Sequence, residues 1–119
     1  MKVEDLVGNY SIVGENQNDS GVQYRGTLSL KLDADKRIVA QWLIHDEQVQ
    51  VGEGFFSNDI LVINFSYQGE NQQLFTGTVV YRCLSKTVLD GFWSESEGDP
   101  RYLGKEKAYR MFGEGQLLN

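Results

Sequence analysis

From Val22 to Asp33 the chain alternates without a break. Val22, Tyr24, Gly26, Leu28, Leu30 and Leu32 hold one parity, while Gln23, Arg25, Thr27, Ser29, Lys31 and Asp33 hold the other. Successive side chains of a strand point to opposite faces, so this pattern predicts a strand with one buried face. Ile38, Ala40, Trp42 and Ile44 repeat it against Val39, Gln41, Leu43 and His45, with both faces apolar enough to leave the inner one open. Leu61, Ile63, Phe65 and Tyr67 oppose Ile60, Val62, Asn64 and Ser66. Phe75, Gly77, Val79, Tyr81 and Cys83 oppose Thr76, Thr78, Val80 and Arg82, and Leu89, Gly91 and Trp93 oppose Asp90 and Phe92.

Between these runs stand polar breaks: 16–21, 33–36, 45–47, 57–59, 68–71, 85–87 and 95–100. They are rich in Asn, Asp, Ser and Gly, which tolerate positive φ or bond their own backbone and so let a chain reverse. About eight strands result, at roughly 6–14, 21–33, 36–45, 47–57, 59–67, 74–84, 87–94 and 102–112, with no helical stripe. Short links make sequence neighbours antiparallel neighbours in space. The fold class is therefore all-β, and an eight-stranded antiparallel up-and-down β-barrel removes the open edges that a flat sheet would leave. Gly26, Gly52, Gly54, Gly77 and Gly91 fall inside strand patterns, as bends or as room for a large neighbour. A two-sheet sandwich is the alternative closure.

The 119 residues make one domain, 1–119, with 40% hydrophobic and 24% charged residues. A net charge of -6 argues against nucleic acid and anionic membrane surfaces as partners, and no compact basic run offsets it. No segment has the run of roughly 20 apolar residues that a membrane span needs. Cys83 is the sole cysteine, and the chain opens Met1-Lys2-Val3-Glu4-Asp5 with no apolar leader, so a soluble, cytoplasmic protein is expected.

Candidate chemistry is sparse. His45 and Cys83 are single copies; the first reads as a turn residue and the second as a small buried hydrophobe, so no catalytic pair is expected. With one His and one Cys, zinc has no usual ligand set. Asn16, Asn18, Ser20 and Gly21 echo half of a calcium loop, but the position of the closing acid holds Thr27. No metal or cofactor is expected.

Glu106 is the polar residue of most interest. Its parity groups it with Gly104, Ala108 and Arg110 against Lys105, Lys107 and Tyr109; if the small residues face inward, Glu106 lies inside the barrel near Tyr10 and Trp93. The opposite assignment, with Tyr109 and Met111 inward, stays open. A buried carboxylate needs donors, which Tyr hydroxyls, Trp N–H or an Arg supply. Closing the last strand on the first is expected to couple Glu106 with Tyr10.

The chain also resembles known barrels. Gly8-Asn9-Tyr10, Tyr24-Arg25-Gly26-Thr27-Leu28, Trp42, Gly52-Glu53-Gly54, Val79-Val80-Tyr81-Arg82, Leu89-Asp90-Gly91-Phe92-Trp93 and Gly104-Lys105-Glu106 follow one another in an order similar to small uncharacterised bacterial calycin-like domains. Calycins include the lipocalins and avidins. The resemblance implies a barrel but no ligand. The stretch from Gly14 to Gly21 is too short for the helices of fatty-acid-binding barrels, and the tail after Met111 leaves no room for a lipocalin's C-terminal helix.

Two functions follow as expectations. One is a non-enzymatic module binding a small, partly apolar ligand inside the barrel, at Tyr10, Tyr24, Trp42, Tyr67, Tyr81, Trp93 and Glu106. The other is a structural or interaction domain acting through its outer face, as a homo-oligomer, by way of Val13, Val39, Leu43, Val62 and Phe92.

Overall fold

The computed structural model describes residues 1–112 and 116–117. A 3₁₀ turn at Val3–Leu6 leads into β1 (Gly8–Glu15), β2 (Gln23–Leu32), β3 (Ile38–Ile44), β4 (Gln48–Ser57) and β5 (Ile60–Gln68). After a short turn at Glu70–Gln72 come β6 (Leu74–Cys83), β7 (Val88–Glu95), β8 (Gly104–Phe112) and a two-residue β9 (Gln116–Leu117). Each strand pairs antiparallel with the next, and β1 also pairs with β8, so eight strands close on themselves. The barrel, not the sandwich, is formed. The expectation that no helix follows Met111 falls largely on residues 113–115 and 118–119, which lie outside the described residues.

The turns are built as their residues dictate. Ser57 pairs directly with Ile60, leaving the two-residue turn Asn58-Asp59 with φ values of 49° and 62°. Positive φ at both central positions matches the right-handed twist of a hairpin, and Asn and Asp bear it at low cost. His45 and Asp46, at 53° and 58°, reverse the chain between β3 and β4 in a three-residue link, with Ile44 paired to Gln48.

The two ends of the barrel differ. Ile12, Leu28, Leu30, Ile38, Ala40, Leu61, Ile63, Leu89 and Ala108 fill the half nearer the Val3–Leu6 turn, and Leu6 closes that end with 0% exposure. Arg110 locks the closure. Its guanidinium donates to the carbonyls of Lys86, Val7 and Asp5 and to the Tyr10 hydroxyl, while stacking 4.9 Å from the Tyr10 ring centre. Tyr10 in turn donates to the Leu6 carbonyl at 2.7 Å. Burial pushes the Tyr10 hydroxyl up to about 12 despite the opposing guanidinium.

The expected coupling of Glu106 with Tyr10 is not formed. The seam between β1 and β8 does close, but its register sets Tyr10 opposite Arg110 and Gly14 opposite Glu106. Tyr10 therefore lies at the closed end, away from the carboxylate. Glu106, Ala108 and Gly104 do face inward, with Lys105, Lys107 and Tyr109 outward.

At four places a ring lies on the glycine directly across the strand pair. Tyr24 covers Gly14, Phe65 covers Gly77, Tyr81 covers Gly91 and Trp93 covers Gly104; a Cβ at any of these glycines would collide with the ring. The missing side chain is what lets each aromatic lie flat along the wall instead of filling the lumen.

Candidate functional site

Towards the end opposite Leu6, the inward residues change from aliphatic to aromatic and polar, and a cavity of about 290 Å³ opens there. Its mouth lies among the β1–β2, β3–β4 and β7–β8 connections, lined by Asn16, Val22, Gln23, His45, Gln48 and Glu95. The walls are Tyr24 from β2, Trp42 from β3, Gln50 from β4, Phe65 and Tyr67 from β5, Tyr81 from β6 and Trp93 from β7. Four of the rings meet edge to face in a belt. Tyr24 and Trp93 are 6.3 Å apart, Trp93 and Phe65 6.3 Å, and Phe65 and Trp42 6.0 Å. Such contacts hold the rings in one geometry, so the walls are preformed.

Glu106 forms the inner end of the cavity at 5% exposure. Tyr24 donates to its Oε1 at 2.7 Å, Trp42 Nε1 donates to Oε2 at 3.2 Å, and Tyr81 donates to the same Oε2. Burial raises the Glu106 carboxyl above its ordinary value, against the pull of these three donors. The Tyr24 and Tyr81 hydroxyls are raised in turn, first by desolvation and then by the adjacent carboxylate.

At the mouth Tyr67 donates to Glu95 Oε1 at 2.6 Å, and burial raises its hydroxyl, with Glu95 adding to the rise. Gln17 holds the backbone there. Its amide donates to Ser94 Oγ and to the Asp99 carbonyl, each at 3.0 Å, and accepts from the Glu95 N–H at 2.8 Å. The Trp93 indole N–H is buried without a hydrogen-bond partner.

Of the seven residues expected inside the barrel, six line this cavity: Tyr24, Trp42, Tyr67, Tyr81, Trp93 and Glu106. Tyr10 does not. Alternation alone passes over Glu95, Gln48, Gln50 and His45, all of which reach the cavity. Phe65 shares the inward parity of Leu61 and Ile63 and was legible by that signal. Among the described residues no three His, Cys, Asp or Glu side chains come together to hold a metal ion. His45 and Cys83 sit at opposite ends of the barrel, the one on the β3–β4 turn and the other at the far end of β6.

No family model matches this chain and no curated protein does. Solved structures do. The redesigned β-barrel mFAP0, bound to DFHBI, superposes with a TM-score of 0.66 at 19% identity, covering 89% of this chain and 99% of that one. A second redesigned barrel, mFAP1, also bound to DFHBI, gives 0.64 at 20% identity over 91% and 97%. A third, b11L5F_LGL, gives 0.68 at 16% identity over 92% and 95%. At these identities the likeness is one of fold, a closed eight-stranded antiparallel β-barrel.

Proposed function

We propose that the protein is a non-enzymatic binding barrel that takes one small, partly apolar molecule through its open end. The observation that carries this reading is the cavity itself: about 290 Å³, walled by six aromatic rings, with one carboxylate at its inner end. That volume stands at the lower edge of the roughly 300–1,000 Å³ of ligand pockets, so the occupant has one or two rings. Preformed apolar walls with a few placed polar groups are what small-molecule sites share. The similar redesigned barrels bound to DFHBI support the reading, since barrels of this fold take a bound molecule there. The separation of His45 from Cys83 supports the non-enzymatic part, because a thiol nucleophile needs its base within hydrogen-bond reach.

The chain's two tryptophans, Trp42 and Trp93, both line the cavity, so they report on its contents directly. Titration with a panel of one- and two-ring aromatics is expected to change tryptophan emission saturably, with Tyr81→Phe and Phe65→Ala altering the affinity. A panel that produces no saturable change refutes the reading.

A second reading has its own observation. On the outer wall Phe55, Val62, Val80 and Phe92 lie directly opposite one another across β4, β5, β6 and β7, with Phe55 62% exposed. Val62 and Val80 between the exposed Phe55 and Phe92 are half-buried, and a contiguous apolar surface of this kind marks interfaces. Sedimentation equilibrium tests it: self-association weakened by Phe55→Ser supports an interaction role, and a clean monomer removes it.

A further inference from the structure

The charges around the cavity are of one sign. Two carboxylates line it, Glu106 at the inner end and Glu95 at the mouth, and among the described residues no lysine or arginine does. The basic residues of β8 nearest to Glu106 in sequence, Lys105 and Lys107, stand on the outer face and are exposed. Among the described residues neither carboxylate has a cationic partner; Glu106 is held by Tyr24, Trp42 and Tyr81, and Glu95 by Tyr67. Anything entering therefore meets negative potential from Glu95 at the mouth and, once pH passes the raised Glu106 value, from Glu106 as well, strengthened by the low dielectric of the walls.

Aromatic walls offer a second attraction: the face of a ring is negative, and a cation within about 6 Å of a ring centre is drawn to it, where an edge would not draw it. A carboxylate also offers about four acceptor positions, of which the Glu106 donors occupy three, with only Tyr24 on Oε1. The net charge of -6 draws cations from solution and repels anions before they reach the mouth.

We propose, resting on the binding reading above, that the cavity selects an organic cation: an ammonium group carried on a one- or two-ring aromatic body. The ammonium group lies between Glu106 and Glu95, and the body stacks among Trp42, Phe65 and Trp93. An ammonium bearing N–H uses the remaining position on Glu106 Oε1, whereas a quaternary one is held by charge and ring faces alone.

Three probes of one size separate charge from shape: benzyltrimethylammonium, benzyl alcohol and benzoate. Tryptophan emission and calorimetry at low salt, from about pH 5 to about pH 8, measure each on the intact protein, the Glu106 contribution growing as its raised carboxyl ionises. Benzyltrimethylammonium is expected to bind at least about tenfold tighter than benzyl alcohol, with benzoate weakest. Glu95→Gln is expected to cut that preference several-fold without touching the core, and Glu106→Gln to cut it further. Because Glu106→Gln alters a buried group, Glu95→Gln keeps the test open should the other variant fold poorly. Equal affinity for the cation and the alcohol, or tighter benzoate, overturns the cation proposal while leaving a binding barrel in place. An unchanged preference in Glu95→Gln and Glu106→Gln overturns it also. No saturable binding of any of the three up to about 10 mM overturns the binding reading together with it.

Discussion

Replacing Glu106 by glutamine is expected to change how stability depends on pH more than it changes stability itself. Ionised, the carboxylate gains three donor bonds of roughly 1.5–3 kcal/mol each, but loses hydration costing several kcal/mol in an interior with no cation beside it. Burial wins, and the carboxyl is raised above its ordinary value of 4.5. Between that value and the raised one, the native state holds a proton that the unfolded state has lost. Stability contributed by this group is therefore full below 4.5 and falls as pH rises, by about 1.4 kcal/mol per pH unit, until the raised value is passed.

Glutamine reproduces the protonated form. Its carbonyl can take the place of Oε2 and accept from Trp42 and Tyr81. Its amide nitrogen can take the place of Oε1 and donate to the Tyr24 hydroxyl, which then turns towards the Lys105 carbonyl at 3.4 Å. The groups facing the position are Tyr24 from β2, Trp42 from β3 and Tyr81 from β6, with Glu95 from β7 and His45 lining the same cavity. The variant should match the wild type within about 1 kcal/mol near pH 4 and become relatively more stable as pH rises. Urea unfolding of both proteins from about pH 4 to about pH 8, at constant salt, measures this from the midpoints and slopes. A stability difference that stays flat, or that grows in favour of the wild type, refutes the reasoning; it means that the donors outweigh burial.

Other substitutions probe separate parts. Arg110→Lys keeps the charge but loses the planar fork that serves Lys86, Val7, Asp5 and Tyr10, and should cost about 2–4 kcal/mol in thermal or urea unfolding. Gly104→Ala sets a methyl group against the Trp93 ring, so a loss of about 1–3 kcal/mol and a changed near-ultraviolet dichroism spectrum are expected; wild-type values for both would mean that the ring is free to move. Burial, with Asp59 adding to it, pushes the Cys83 thiol up to about 11, so alkylation by iodoacetamide near pH 8 should be far slower than for an unfolded control, and equal rates would place the thiol at the surface.

The strands were legible because alternation is a strong signal wherever one face packs on aliphatic side chains. β2, with Leu28 and Leu30 inward, and β6, with Val79, Tyr81 and Cys83 inward, show it plainly. β4 reverses the rule. Its inward positions are Gln48, Gln50, Gly52, Gly54 and Phe56, while Val49, Val51 and Phe55 face solvent. Half of that strand borders the cavity and the other half lies where glycine admits Phe65 and Ile63 closely, so polarity no longer reports direction. The inward face of Glu106 and the chemical kinds of its donors were accessible from parity. Its partners were not, because register across the β1–β8 seam depends on closure of the whole barrel. A shift of two positions keeps every side chain on its own face, so hydrophobic pattern cannot distinguish one such register from another.

The seam has a kinetic consequence. Every other pairing among the eight barrel strands joins neighbours in sequence and can form as a hairpin, within microseconds for an isolated unit. Only β1 with β8 requires distant parts of the chain to meet, and loop-closure entropy must be met before any contact rewards it. The meander is then expected to assemble first and the ring to shut last. Substitutions at Arg110 or Gly14 should speed unfolding while leaving the folding rate nearly unchanged, in contrast to substitutions at Leu61 or Val79 within the hairpins. The lifetime of the native barrel would thus be set at its seam, by the few contacts formed after the rate-limiting crossing.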